Sequence, residues 1–223
     1  MIIMTNETCL QKVADACAVI EKQIDQTIEL SRYVIGNTLT KYDLFLCPLL
    51  NRSIQLSQGF MALIKQRNLT CAGSMLRLQL DNCMRLYAST IVDDQNALID
   101  CVISGGKIGD LTDKNGKKMR DSILKDGLAQ YDSRFADVYD NTSGYIHYSE
   151  KSFYQSISAS NGGDYDISIQ ISKEPSEKVN EALCECAEAF IYFTDFFLRM
   201  MEGAAKSKAD LEKKFEEEEK DGD

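Results

Sequence analysis

Apolar residues recur along most of this chain at the three- and four-residue steps of an α-helix, not at the two-residue step of a strand. The first run is Leu10, Val13, Cys17, Ile20, Ile24, Ile28, Ser31 and Ile35. It predicts a helix of about 30 residues, near 45 Å long, capped by Thr5 or Asn6 and stopped by Gly36-Asn37. A second run follows Thr40, through Phe45, Leu46, Leu49, Leu50, Phe60, Met61 and Ile64. Pro48 lacks an amide hydrogen, so it should kink this helix or mark its first turn. Gln66 to Thr70 is a short connection.

The third run, Ala72 to Thr90, organises the rest. Met75, Leu76, Leu80, Cys83, Leu86 and Tyr87 make a wide apolar arc, and Arg77, Asp81 and Arg85 draw a narrow charged line opposite its middle. That breadth predicts a helix packed between neighbours. Both spacings within the charged line are i,i+4, so it can partly neutralise itself and still leave one arginine free.

Beyond it, a short helix is expected from Asp93 or Asp94 to about Ile103. Ser104 to Lys118 carries four glycines and no period, and reads as a loop. It matches neither the phosphate-binding GxxxxGK[ST] spacing nor a calcium loop. Lys117 to Tyr139 reads as helix, broken near Gly127, and Asn141 to Tyr154 as a turn-rich stretch with a flexible Ser143-Gly144 turn. Alternation around Ser156 and Ile167, with Asn161-Gly162-Gly163 between, predicts a β-hairpin near 153–172. Pro175 is placed to open a last helix running to about Met201, with Asp195 and Arg199 paired on it. The expectation is an all-α multi-helix bundle, a single domain over 1–203 with a small β-hairpin insertion in its C-terminal half, followed by an acidic, solvated tail over 204–223.

Composition narrows the function classes. The net charge is −10 over 223 residues. The segment from Glu202 onward holds nine acidic and five basic residues, or −4 of that total. The body is therefore acidic too, which excludes a broad basic surface for nucleic acid but not a local basic cluster. A signal peptide and a bilayer-spanning run are both lacking, so a cytoplasmic protein without membrane contact is expected. Eight cysteines scattered through helical stretches read as buried thiols. Cys184 and Cys186 point different ways on a helix, and no second cysteine pair completes a four-ligand site, so no metal and no cofactor are expected.

The candidate chemistry is small. His147, the only histidine, lies between Tyr145 and Tyr148 and could move protons near neutral pH. Arg77 or Arg85 could hold an anion, and Asp81 could orient either an arginine or the imidazole. The candidate ligand-binding residues are thus Arg77, Arg85, Tyr145, His147 and Tyr148. If the protein is an enzyme, the catalytic set is His147, Arg77, Asp81 and Arg85. The same charged line also reads as a paired structural network.

The stretches LRLQLDNCMRLY, Leu76 to Tyr87, and VYDNTSGYIHYS, Val138 to Ser149, resemble uncharacterised bacterial helical proteins loosely similar to the HEPN and abortive-infection proteins. The resemblance implies a helical homodimer in a bacterial stress or defence setting, with Arg77, Asp81 and His147 as the matched polar positions. HEPN ribonucleases carry an R-x4-6-H motif. Here the nearest upstream arginine, Arg134, is thirteen residues before His147. Two functional expectations follow. One is a helical binding or regulatory protein for a protein or small anionic ligand, acting as a homo-oligomer. The other is a divergent, metal-independent ribonuclease-like phosphodiesterase, with RNA as its partner.

Overall fold

The computed structural model describes residues 4–36, 38–146, 157–159, 167–169 and 171–221. Among the described residues seven α-helices carry the fold: α1 (Asn6–Ile35), α2 (Asp43–Lys65), α3 (Leu69–Ile91), α4 (Gln95–Ile103), α5 (Asp121–Ala129), α6 (Arg134–Ile146) and α7 (Asn180–Asp221). The all-α class is as expected. Helices α1, α2, α3 and α7 pack on one another, and α3 also touches α4, α5 and α6. The helix with the widest apolar arc is the one with most neighbours.

Thr5 caps α1 by accepting from the Thr8 amide, and Gly36, at φ 58°, ends it. The buried face differs from the predicted stripe. Of that stripe Val13, Cys17 and Ile20 are buried while Leu10, Ile28 and Ile35 are exposed, and beside Cys17 the inward positions are Cys9, Val13, Ala16, Ile20, Gln23, Thr27, Leu30 and Val34. These alternate steps of four and three, the 3.5-residue repeat of helices packed at a shallow angle. Two polar members hid the repeat. Gln23 donates to the Ile191 carbonyl at 2.9 Å, and Thr27 folds its hydroxyl onto the Gln23 carbonyl at 2.6 Å.

Helix α2 starts at Asp43, so Pro48 sits inside it and not in its first turn. Asp94 caps α4, accepting from the Asn96 and Ala97 amides. The break between α5 and α6 falls after Gly127 and not at it. There the Asp132 carbonyl and carboxylate take the first free amides of α6, those of Phe135 and Arg134. Gly127 instead admits the Tyr87 ring, which a β-carbon would meet at 2.6 Å.

The expected Ser143-Gly144 turn is helical, because α6 continues to Ile146. Thr142 and Ser143 return their hydroxyls to the Val138 and Tyr139 carbonyls one turn back, so neither competes for the helix's amides. Ile157–Ala159 pairs antiparallel with Ile167–Ile169, Ile157 opposite Ile169. The rest of the expected hairpin, its turn included, lies outside the described residues.

Ser176 and a 3-10 turn, Glu177–Val179, lead into α7. At this end Arg67, held at φ 55°, donates to the Asn180 side-chain carbonyl at 3.0 and 2.7 Å, while the Asn180 amide donates to the Met4 carbonyl. Three chain segments are thereby tied together. Helix α7 also runs on past Gly203. Ala205 and Lys208 are buried, so packing continues into the segment read as solvated tail. The Lys208 ammonium donates to the Val34, Ile35 and Thr38 carbonyls, each at 3.0 Å, and to the Asp43 carboxylate at 2.7 Å. It caps the C-terminus of α1 from another helix.

Candidate functional site

The charged line on α3 neutralises at one of its two spacings. Arg85 donates to one oxygen of Asp81 at 2.9 and 2.6 Å, and Arg52 from α2 donates to the other at 2.8 Å. Arg85 also reaches Asp121 at the start of α5, at 2.7 Å. Burial alone would raise the Asp81 pKa, but Arg85 and Arg52 more than offset it and hold the carboxyl below its usual value. Behind the line, Arg52 donates to Asn82, Asn82 to Gln79 and Gln79 to Ser53, a buried relay between α2 and α3. These are the contacts of a paired network that fixes helix register.

Arg77 stands apart. Its guanidinium carbon lies 3.4 Å from the centroid of the Tyr139 ring on α6. Burial lowers its pKa, opposed by Tyr139 and Asp81, and its Nε is buried with no hydrogen-bond partner among the described residues. Tyr145, one and a half turns further along α6, packs on Gly73, where a β-carbon would fall 2.3 Å from the ring. Gly73 and Arg85 are twelve residues apart on α3, or roughly 18 Å along its axis. Tyr145 and Arg85 therefore belong to different places. His147 and Tyr148 lie outside the described residues.

A large concavity lies elsewhere. A cleft of ≈ 1480 Å³ opens between the α1–α2 connection, the end of α3, α5 and α7. Tyr42, Tyr87, Tyr131 and Tyr192 supply its aromatic walls, with Phe196, Leu128 and Met200 between them. Tyr87 and Tyr131 meet edge to face with centroids 6.1 Å apart. Ser89 donates to the Leu86 carbonyl, so the Tyr42 hydroxyl donates to Ser89, at 2.8 Å. Burial raises the Tyr42 pKa, and the Asp132 hydrogen bond, chiefly, raises that of Tyr192. Both phenols stay neutral.

Most charges in the wall are already engaged. Asp132 accepts three bonds from Arg134, two from the guanidinium and one from the backbone amide, and one from the Tyr192 hydroxyl, which bring its pKa down to about 2, Arg134 contributing most. Lys208 holds Asp43, and Arg199 pairs with Asp195 at 3.2 Å. Sequence periodicity could not find this cleft, because four separate elements make it.

Among the described residues, no group of three or more His, Cys, Asp or Glu side chains is placed to hold a metal ion, and no helix is long and apolar enough to cross a membrane. Five of the eight cysteines are buried. No protein-family model, no curated protein and no solved structure matches the chain.

Proposed function

We propose that this chain is a helical binding or regulatory protein whose ligand is an uncharged, partly aromatic organic molecule held in the tyrosine cleft. The observation that carries this is the pairing of Asp132, Lys208 and Arg199 with partners of their own. The remaining lining is phenol, aliphatic hydroxyl and hydrocarbon, together with exposed Asp93, Gln95 and Lys114, whose two charges are opposite and cancel, a surface suited to an apolar body with one or two hydrogen-bonding groups. Gly203 offers a clean test. It lines the cleft and has open space where a β-carbon would stand. Gly203→Phe should narrow the cleft, keep the fold, and weaken binding of the neutral dye Nile red at least ~10-fold, a loss of about 1.4 kcal/mol. Equal dye affinity in the two proteins contradicts the proposal.

A second reading has support of its own: a divergent, metal-independent ribonuclease-like phosphodiesterase, as the HEPN resemblance implies. Arg77 has no carboxylate bonded to it among the described residues, and α6, which leads into the segment carrying His147, runs along α3 with Tyr139 on Arg77 and Tyr145 on Gly73. In this reading Arg77 stabilises phosphate charge and His147 transfers a proton. Single-stranded RNA cut in EDTA by the wild type, and left whole by His147→Ala and by Arg77→Met, would establish it. RNA left whole by the wild type removes it.

The proposal places the protein in the bacterial cytoplasm, in stress or defence, and as a homodimer. Exposed Leu10, Ile28 and Ile35 share one line of α1 and support an apolar contact between copies. The hairpin near 153–172 is proposed to close on a ligand or pair across that dimer. Light scattering at twice the monomer mass, lost in Ile28→Glu, is the expected result.

A further inference from the structure

A second cavity, of ≈ 740 Å³, lies on another side of α3 between α2, the loop after α4 and the start of α5. The chain as a whole carries 25 basic and 35 acidic residues, yet the wall of this cavity carries four basic side chains, Arg52, Arg85, Lys107 and Arg120, against one acid, Asp121. Counting Asp81 behind them, the local balance is still +2. The two halves of the set differ. Asp81 holds Arg52 and Arg85 in place, each half-buried, while Lys107 and Arg120 are exposed and have no carboxylate partner among the described residues. Arg52 uses only Nη1 in its bonds to Asp81 and Asn82, so its Nε and Nη2 remain available.

The loop that delivers Lys107 is built for its position. Gly105 sits at φ +75°, a conformation that other residues rarely take. At Gly106 a β-carbon would fall 2.7 Å from the Cys101 sulfur and 3.1 Å from the Cys101 carbonyl oxygen, to which the Gly106 amide donates at 2.7 Å. Two consecutive glycines therefore fold the chain tightly back over the end of α4. Across the cavity no side chain among the described residues caps the N-terminus of α5, which adds its partial positive charge. The floor is apolar, with Phe45, Pro48 and Leu49 of α2 and Ile108 of the loop.

We infer that this cavity binds a phosphomonoester dianion that carries an apolar body. A charge of −2 balances the local excess, guanidinium forks match phosphate oxygens, and the hydrocarbon floor takes the organic part. A carboxylate would neutralise only half of the excess. This site is separate from the tyrosine cleft, and neither depends on the other.

The test is calorimetric titration of the full chain with phenyl phosphate, set against benzoate. Saturable binding of phenyl phosphate is expected, at least ~10-fold tighter than benzoate and weakened by salt. Lys107→Ala with Arg120→Ala changes only exposed side chains and should lower that affinity at least ~10-fold while leaving the melting temperature unchanged. A terminal phosphate on a small molecule and one on a nucleic-acid end present the same dianion, so two short oligoribonucleotides, one 5′-phosphorylated and one 5′-hydroxyl, are offered as competitors. Competition by the phosphorylated strand alone assigns the dianion to a nucleic-acid end, and competition by neither assigns it to a small molecule; both uphold the site. Competition by both strands equally, no saturable binding of phenyl phosphate, or equal affinity in the double variant overturns it.

Discussion

Arg77 rests on Tyr139, its guanidinium carbon 3.4 Å from the ring centroid, and this contact locks α6 to α3. A half-buried cation on an aromatic face contributes about 0.5–2 kcal/mol. Tyr139→Leu keeps most of the apolar volume and removes the ring face, so urea unfolding should show a loss of that size. A Tyr139→Leu protein as stable as the wild type would remove the contact's role.

One turn of α3 before Arg77, the same helix pair is brought close by Gly73, where a β-carbon would fall 2.3 Å from the Tyr145 ring. Gly73→Ala is therefore expected to destabilise by about 1–3 kcal/mol, although alanine is the better helix former. In Gly73→Ala with Tyr145→Ala the clash is gone, and the two effects should fall short of additive by about 0.5–3 kcal/mol. Strict additivity would show that the two residues do not meet.

The buried Lys208 ammonium and Asp43 carboxylate, 2.7 Å apart, join the last helix to the first two. Lys208→Met leaves the Asp43 charge buried without its partner and should lower stability by about 3–5 kcal/mol. Adding Asp43→Asn removes that charge, and part of the stability should return. A Lys208→Met protein melting like the wild type would mean that packing ends before this turn of α7.

Stability should also depend on Asp132 in acid. Its pKa, brought down to about 2 chiefly by Arg134, lies below the value near 3.9 of an unfolded aspartate. The stabilisation is then complete above about pH 4 and fades as pH falls toward about 2. Asp81 is shifted in the same direction and adds to the trend. Melting curves at pH 5 and 2.5 should show a smaller acid-induced drop for Asp132→Asn than for the wild type; equal drops would contradict the shift.

Much of the helical frame can be read from the chain, because apolar spacing, Thr5, Asp94 and Gly36 each act within a few residues of their own helix. The failures share one cause, polar groups satisfied at a distance. Gln23 and Thr27 disguised the buried face of α1, and Lys208 looked like tail until its four acceptors, all near the α1–α2 connection, came into view. Ser143-Gly144 looked like a turn, but hydroxyls bonded one turn back sit within a helix without breaking it. Of the candidate residues, spacing found the Asp81–Arg85 pair; Arg52 and Asp121 completed it from helices that no local pattern connects. The tyrosine cleft needs α3, α5 and α7 at once and has no signature within any of them.

The binding account rests on the cleft formed by Tyr42, Tyr87, Tyr131 and Tyr192. The most direct measurement is NMR of ring-labelled tyrosine during titration with 2-naphthol, a neutral planar phenol. The account predicts that the resonances of those four residues move together and saturate while Tyr139 and Tyr145 stay in place. Shifts confined to Tyr139 and Tyr145, or none at all, would contradict it.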